Sequence, residues 1–211
     1  AVRAYAPRAR VLFVSSNQVY GRTFQNEKRV REQSLLWPQN PYATTKVLAE
    51  WACLNFGRQF GLNIVIARPT NHVGAGQAED FVFSDWCQQI ARAEKGLQEP
   101  VIQVGNIQVF RDFLHVQDVV RAYEILLRKG KPGQIYNISS GKAVMLRKYL
   151  EFLLKKSKIS IRVNVQRERV RQDEVLQMHC SRNKIVSLGW KPVRTVFEAL
   201  EELLEDWRSR V

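Results

Sequence analysis

The sequence predicts an α/β fold, and three features of it say so. Short apolar runs recur, Arg10 to Ser16, which ends in two hydroxyls, and Leu62 to Ala67, which is the pattern of buried parallel strands. Helix-period segments lie between such runs, the longest opening at Pro41 and closing at Gly61. The composition, 45% hydrophobic and 25% charged over 211 residues, suits a globular chain long enough to bury one sizeable core.

The elements follow in order. Ala1 to Pro7 reads as the tail of a helix, and a strand from Val11 to Ser15 comes directly after it. Ser15 and Ser16 sit at the carboxyl end of that strand, where ligands bind in open α/β sheets. Arg22 to Asn40 is polar and irregular. A helix from Pro41 to about Phe60 offers Val47, Leu48, Trp51, Ala52, Leu54 and Phe56 for packing. The strand Leu62 to Ala67 ends in Arg68-Pro69-Thr70-Asn71-His72-Val73-Gly74-Ala75-Gly76-Gln77, a second ligand-facing end rich in polar groups. Gly74 and Gly76 do not make a dinucleotide fingerprint, because the third glycine and the surrounding strand–turn–helix are missing. Phe81 to Glu94 is a helix, Val101 to Val104 a short strand, and Gly105-Asn106 a turn. Phe110 to Phe113 leads into a helix from about Val116 to Arg128, then Gln134 to Ile138 is strand-like. Leu146 to Lys156 is amphipathic, with Leu146, Tyr149, Leu150, Leu153 and Leu154 inward. Ile161 to Val165 alternates as a half-buried strand. Ser181 is placed to cap a short helix ending at Leu188-Gly189, and Val196 to Trp207 is the last helix.

No apolar run is long enough to span a bilayer, and no signal peptide is read. Cys53, Cys87 and Cys180 are too far apart for a disulfide framework or a metal-ligand pattern, so they read as idle thiols in a reducing cytoplasm. The three histidines are too scattered for a zinc site. The net charge of +13 is densest between Arg147 and Arg171. Its aromatic residues are not interleaved with the charges as a base-stacking platform needs, so that segment reads as a solvated face and nucleic acid is not expected as a partner.

Chemistry concentrates in Pro41-Tyr42-Ala43-Thr44-Thr45-Lys46. Residues i and i+4 share a helix face, so Tyr42 and Lys46 point the same way. A phenol titrates near pKa ~10 in water, and an ammonium one turn away favours the phenolate. The pair is then an acid/base suited to a carbonyl or alcohol oxygen. A half-buried tyrosine beside a solvated lysine on a surface helix is the alternative. A serine at the tip of a neighbouring strand, Ser16, would hold the same oxygen by a hydrogen bond, unless it only ends the strand.

Taken together, the order Ser15-Ser16-x-x-Val19-Tyr20-Gly21, Asn40-Pro41-Tyr42-x-x-x-Lys46, Arg68-Pro69-x-Asn71, Gly105-Asn106 with Arg111-Asp112-Phe113 and Asp118, and Leu188-Gly189-Trp190-x-Pro192 resembles the extended short-chain dehydrogenases/reductases. These are the epimerases, dehydratases and reductases of nucleotide sugars, and the resemblance covers essentially the whole chain. The segment Arg68 to Gln77 is most similar to the branch that reduces GDP-4-keto-6-deoxy-D-mannose, which usually has Phe at Thr70 and Pro at Ala75.

The resemblance implies the C-terminal part of a doubly wound, Rossmann-type parallel sheet plus a smaller α/β substrate-binding domain. Residues 1–75 would form the partial Rossmann domain with the catalytic residues. Residues 76–211 would be mainly substrate-binding, with 116–141 returning to the sheet. It implies Ser16, Tyr42 and Lys46 as the catalytic trio and NADP or NAD as cofactor, with Tyr42, Lys46, Pro69, Asn71 and His72 against it. A GDP-sugar substrate would meet Gln18, Asn71, Val104, Asn106, Arg111 and Arg171. The family's usual Arg-Pro-x-Asp-x-Pro pattern has become Arg171-Gln172-Asp173-Glu174-Val175-Leu176. Related dehydratases place a glutamate near Gln18 to remove a sugar proton, and an amide cannot do so. Gln18 therefore favours simple ketone reduction, unless it is only a turn residue.

The expected activity is reduction of the C4 ketone of a GDP-4-keto-6-deoxyhexose to a GDP-rhamnose-type product. A dehydratase or epimerase of the same family is the alternative enzyme, and a non-catalytic scaffold for an anionic partner is the alternative of another class. The chain reads as a cytoplasmic fragment that starts near the fifth strand of the family fold, without the glycine-rich cofactor-binding half. By itself it is expected to bind NADPH weakly or not at all, and the full-length protein is expected to form homodimers.

Overall fold

The computed structural model describes residues 1–166, 168 and 175–211. After a single helical turn, α1 (Val2–Tyr5), come β1 (Arg10–Val14), a short 3-10 helix (Asn17–Tyr20), α2 (Thr23–Asn26), α3 (Pro41–Phe60), β2 (Asn63–Pro69) and β3 (Asn71–Val73). Then follow α4 (Val82–Glu94), β4 (Val101–Val104), β5 (Phe110–Arg111), β6 (Phe113–His115), α5 (Val116–Lys129) and β7 (Ile135–Ile138). The chain ends with β8 (Val144–Met145), α6 (Leu146–Lys156), β9 (Arg162–Val165), α7 (Asn183–Val186) and α8 (Val196–Arg210).

β1, β2 and β7 form one parallel sheet with β2 in the centre. Val11 pairs with Ile64, and Ile66 with Ile135. Every residue of β2 after Asn63 is buried, which is why this strand is a continuous apolar run. Its polar end, Arg68 to Thr70, therefore emerges beside the ends of β1 and β7, as parallel topology requires. Shorter pairings flank it: β3 with β6 and β4 with β9 are parallel, and β5 with β8 is antiparallel.

Three apolar clusters hold these layers. One packs α5 and Trp190 against Val65, Ala67 and Tyr136 of the sheet. A second gathers Val19, Tyr20, Phe24, Val47 and Cys180 beneath the strand ends. The largest surrounds Phe83 and Trp86 of α4 with residues of α6 and α8. Phe83 lies 4.3 Å, centroid to centroid, from Phe113 and 5.1 Å from Tyr149. Asp118 fixes the segment after α7, accepting from the backbone of Val193 and Arg194 while its own carbonyl accepts from the Trp190 indole.

Two packing expectations are corrected. Only Ala43, Val47 and Glu50 of α3 are buried, whereas Leu48, Trp51 and Phe56 are each more than half exposed. Apolar residues surround this helix on all sides, so periodicity alone selects no inward face. β9 is exposed at all four residues rather than half-buried. It is the outer member of a two-stranded ribbon, so alternation does not separate a core face from a solvent face. The helix after Ser181 is one turn, with Arg182 at its cap position. The Ser181 hydroxyl accepts from Asn183 N at the long distance of 3.5 Å. Among the described residues no helix is long and apolar enough to cross a membrane.

Candidate active site

The site begins where β1 ends. Ser15 N still donates to Ala67 O at 2.8 Å, after which the chain turns into the 3-10 helix. Ser16 caps that helix: its Oγ accepts from Gln18 N at 3.2 Å. A hydroxyl that accepts from its own turn keeps its hydrogen for another partner. The turn closes at Gly21 with φ +48°, and a Cβ there would stand 1.9 Å from the Trp37 carbonyl oxygen. Glycine is the residue that position admits.

α3 starts beside this turn. Asn40 Oδ1 accepts from Ala43 N at 2.8 Å, with Pro41 following it, and Gly61 in the left-handed conformation ends the helix. Asn40 also donates its amide to Gln18 Oε1 at 3.2 Å. The turn that carries Ser16 thus holds the cap of the helix that carries Tyr42. Tyr42 is half exposed at 50%. Lys46 Nζ lies 5.7 Å from its ring centroid and 5.4 Å from that of Phe13, and donates to Val14 O at 2.9 Å.

Ser16, Gln18, Tyr42 and Lys46 all line one cleft of about 1660 Å³, and Pro69, Asn71, His72, Asn106 and Arg111 form other parts of its wall. The imidazole Nδ1 of His72 donates to Thr70 O at 3.2 Å. Arg111 Nη1 meets the carbonyls of Phe110 and Val175 at 2.9 and 2.8 Å. Asn106 Oδ1 accepts from Gln108 N at 3.0 Å. Val104 is corrected: its side chain is fully buried in the large apolar cluster, and the neighbouring Gly105 to Ile107 supply the cleft surface instead. As an inward residue of β4 it cannot turn to the ligand without leaving the core. Arg171 lies outside the described residues.

Sequence reading missed what lies underneath. Arg68 is buried, 2% exposed, and grips Glu50 of α3 with both edges of its guanidinium, Nε to Oε1 at 2.9 Å and Nη2 to Oε2 at 2.6 Å. Its Nη1 donates to the Tyr20 hydroxyl at 2.9 Å and to Glu32 O at 3.1 Å. Tyr20 donates onward to Asn137 Oδ1 at 2.7 Å, and Asn137 N donates to Glu32 Oε1 at 3.0 Å. Burial pushes the Tyr20 phenol well above its ordinary range, against the pull of Arg68. Burial is the largest single influence and disfavours the Arg68 charge, but the hydrogen bonds and electrostatic contacts to Glu50 and Tyr20 together outweigh it and strengthen the cation. The signals were an arginine at the end of an apolar strand and a glutamate on the inward face of α3. Neither is diagnostic in sequence.

Tyr123 of α5 also lines the cleft; burial first, and then the neighbouring Tyr42, push its phenol up to about 12. Ser15 Oγ and Thr70 Oγ1 are buried without a hydrogen-bond partner among the described residues, and both residues border the cleft. Among the described residues no cluster of three or more His, Cys, Asp or Glu could hold a metal ion.

Residues 1–203 match the family described as GDP-mannose 4,6 dehydratase. The chain belongs to that family. It is one of the extended short-chain dehydrogenase/reductase families, so the family chemistry is that of nucleotide-sugar reductases, dehydratases and epimerases. The GDP-6-deoxy-D-mannose reductase of Pseudomonas aeruginosa is 38% identical over 201 residues, which is 95% of this chain and 66% of that protein. The dTDP-D-glucose 4,6-dehydratase of Homo sapiens is 32% identical over 205 residues, 94% of this chain and 56% of its own length. The chain thus spans somewhat less than two thirds of these relatives. Among solved structures, RMD from Pseudomonas aeruginosa complexed with NADPH superposes with a TM-score of 0.89 at 38% identity, covering 95% of this chain and 67% of that one.

Proposed function

We propose that this chain carries the catalytic part of a reductase that uses NADP(H) or NAD(H) to reduce the C4 ketone of a GDP-4-keto-6-deoxyhexose. The observation that carries the reading is the meeting of Ser16, Tyr42 and Lys46 on one cleft. The similarity to a reductase of GDP-6-deoxy-D-mannose over 95% of the chain supports the substrate class.

When bound, the reduced nicotinamide supplies the hydride that the ketone carbon accepts. The chain's own residues handle the oxygen. The Ser16 hydroxyl, accepting from Gln18 N, keeps its hydrogen to donate to the carbonyl oxygen as negative charge develops there. Tyr42 gives that oxygen its proton, converting the carbonyl into an alcohol and leaving a phenolate. The Lys46 ammonium, 5.7 Å from the ring centroid, stabilises the negative charge passed to the phenol. The buried hydroxyls of Ser15 and Thr70, without partners among the described residues, fit a polar ligand such as a nicotinamide carboxamide or a sugar hydroxyl. Asn106 and Arg111 lie on the part of the wall proposed to meet the nucleotide.

Reduction is favoured over dehydration by the residues beside Ser16. Dehydration of a hexose requires a base to remove a carbon-bound proton, and both Asn17 and Gln18 are amides. Gln18 is moreover tied to the cap of α3. The test is incubation of the full-length protein with GDP-4-keto-6-deoxymannose and NADPH. Loss of reduced-cofactor absorbance together with a GDP-6-deoxyhexose product is expected. No loss with this ketone, but formation of a keto sugar from a GDP-hexose, would make the protein a dehydratase instead.

A further inference from the structure

The buried network under the cleft joins three segments that are far apart in sequence. Tyr20 ends the 3-10 helix that Ser16 caps. Glu50 sits on α3 at i+8 from Tyr42 and i+4 from Lys46, so all three share one helix face. Arg68 immediately precedes Pro69, at the strand end that continues to Asn71 and His72. One guanidinium holds all three: two bonds to Glu50, one to Tyr20 and one to the backbone of Glu32. Arg68, Glu50, Tyr20 and Asn137 are each at most 2% exposed. None of them borders the cleft, so none can touch a ligand there.

We propose that Arg68, through Glu50 and Tyr20, is the positioning residue that sets the Tyr42 phenol against the Ser16 hydroxyl. The reason is geometric. The bidentate grip on Glu50 fixes the rotation of α3 about its own axis, which a single hydrogen bond or an apolar contact would leave loose. A group roughly 8 Å from a helix axis moves roughly 1.4 Å when the helix turns by about 10°. Misplacement of about 1 Å in a reacting group can cost about 100-fold in rate. The Tyr20 bond fixes the other partner, because its ring is packed in the cluster beneath the Ser16 turn and its hydroxyl is the turn's link to Arg68. The contact from Gln18 to Asn40 ties the same two segments at the exposed rim, so the pair of reacting groups is held above and below.

This inference takes its kinetic readout from the reductase reading, and a second readout does not depend on it. Arg68→Lys and Tyr20→Phe are made in the full-length protein, with Glu94→Gln as a control that breaks a distant Arg–Glu pair. Circular dichroism and thermal melts select the folded variants. Arg68→Lys keeps the charge but loses the fork, and is expected to lower kcat about 100-fold. Tyr20→Phe removes one hydroxyl, is the variant expected to fold in any case, and is expected to lower kcat about 10-fold. KM for the sugar nucleotide stays within about twofold in both, because the ligand contacts are intact. Glu94→Gln lowers the melting temperature and leaves kcat unchanged.

In parallel, 3-fluorotyrosine is placed at position 42 and its fluorine NMR signal is recorded without substrate. The signal is expected to shift in Arg68→Lys and Tyr20→Phe and to stay in place in Glu94→Gln. An unmoved signal in folded variants overturns the proposal, as does an equal loss of kcat in Glu94→Gln. If the wild-type protein reduces no keto sugar, the reductase reading fails, and the fluorine signal alone decides the positioning role.

Discussion

Two arginine–glutamate pairs, one buried and one partly buried, staple two regions of this molecule, and they are built alike but placed differently. Arg68 holds Glu50 beneath the sheet, and Arg208 of α8 holds Glu94 at the end of α4 by Nε to Oε2 at 2.8 Å and Nη2 to Oε1 at 2.6 Å. Arg208 adds Glu205 and the carbonyl of Lys156, so its partners lie on α4, α6 and α8; α4 reaches the cleft from Val82 to Gln88 but carries none of Ser16, Tyr42 and Lys46. Two partners of Arg68, Tyr20 and Glu50, sit on the segments that carry Ser16 and Tyr42 themselves. The same chemical device therefore stabilises in one place and, by the proposal above, also aligns in the other. Bond count does not distinguish them, although the Arg68 pair is the more deeply buried; the residues that share a helix with each glutamate do.

The sharpest way to break this comparison is at the cleft itself. Tyr42→Phe is expected to lower kcat by about 100- to 10,000-fold with little change in melting temperature, since the hydroxyl makes no hydrogen bond to the described residues that would be lost. A scaffold would show no change in the binding of its partner. Next, Arg68→Met leaves Glu50 as an uncompensated buried carboxylate. It should cost about 3–5 kcal/mol of stability and nearly all activity, measured by denaturant melts and turnover. Glu94→Gln weakens the other pair, whose glutamate is 6% exposed, and should cost about 1–3 kcal/mol with turnover intact. If Glu94→Gln harmed turnover as much as Arg68→Met, the two pairs would serve one purpose.

A pH series sharpens the same contrast. Burial opposes the charge on Glu94, but the Arg208 fork and the Lys158 backbone N–H hold its carboxyl below the ordinary value of 4.5. A depressed folded value means that the unfolded chain binds the proton more readily. The pair's contribution is therefore present above about 4.5 and lost as pH falls through the folded value. Glu94→Gln should flatten the acid limb of a stability profile. The smallest effect belongs to the exposed ribbon: Val165→Thr on β9, 52% exposed, should change stability by less than about 0.5 kcal/mol.

Much of the fold was legible because its signals are local. A proline in the first turn and a glycine twenty residues on mark both ends of α3. The unbroken apolar run of β2 marks a strand with both faces covered. Ser16, Tyr42 and Lys46 were legible as chemistry, because helix spacing puts the last two together and strand ends gather ligands. Which apolar residues of α3 face inward was not legible, since Trp51 and Val47 are equally apolar and only the position of the sheet separates them. The family resemblance placed Val104 near the ligand, yet an alternating strand sends its side chain into the core.

By itself, the sequence determined the class of fold and the limits of its longer helices to within a few residues, and it singled out the phenol, the ammonium and the hydroxyl as candidates, because capping, periodicity and residue chemistry act over a few neighbours. Only the tertiary structure decided that Glu50, Arg68, Tyr20 and Asn137 meet, since those residues are separated by up to 117 positions and any of them alone could face water. A buried charge is tolerated only where every partner arrives together. That simultaneous arrival is a property of the folded chain and not of any segment of it.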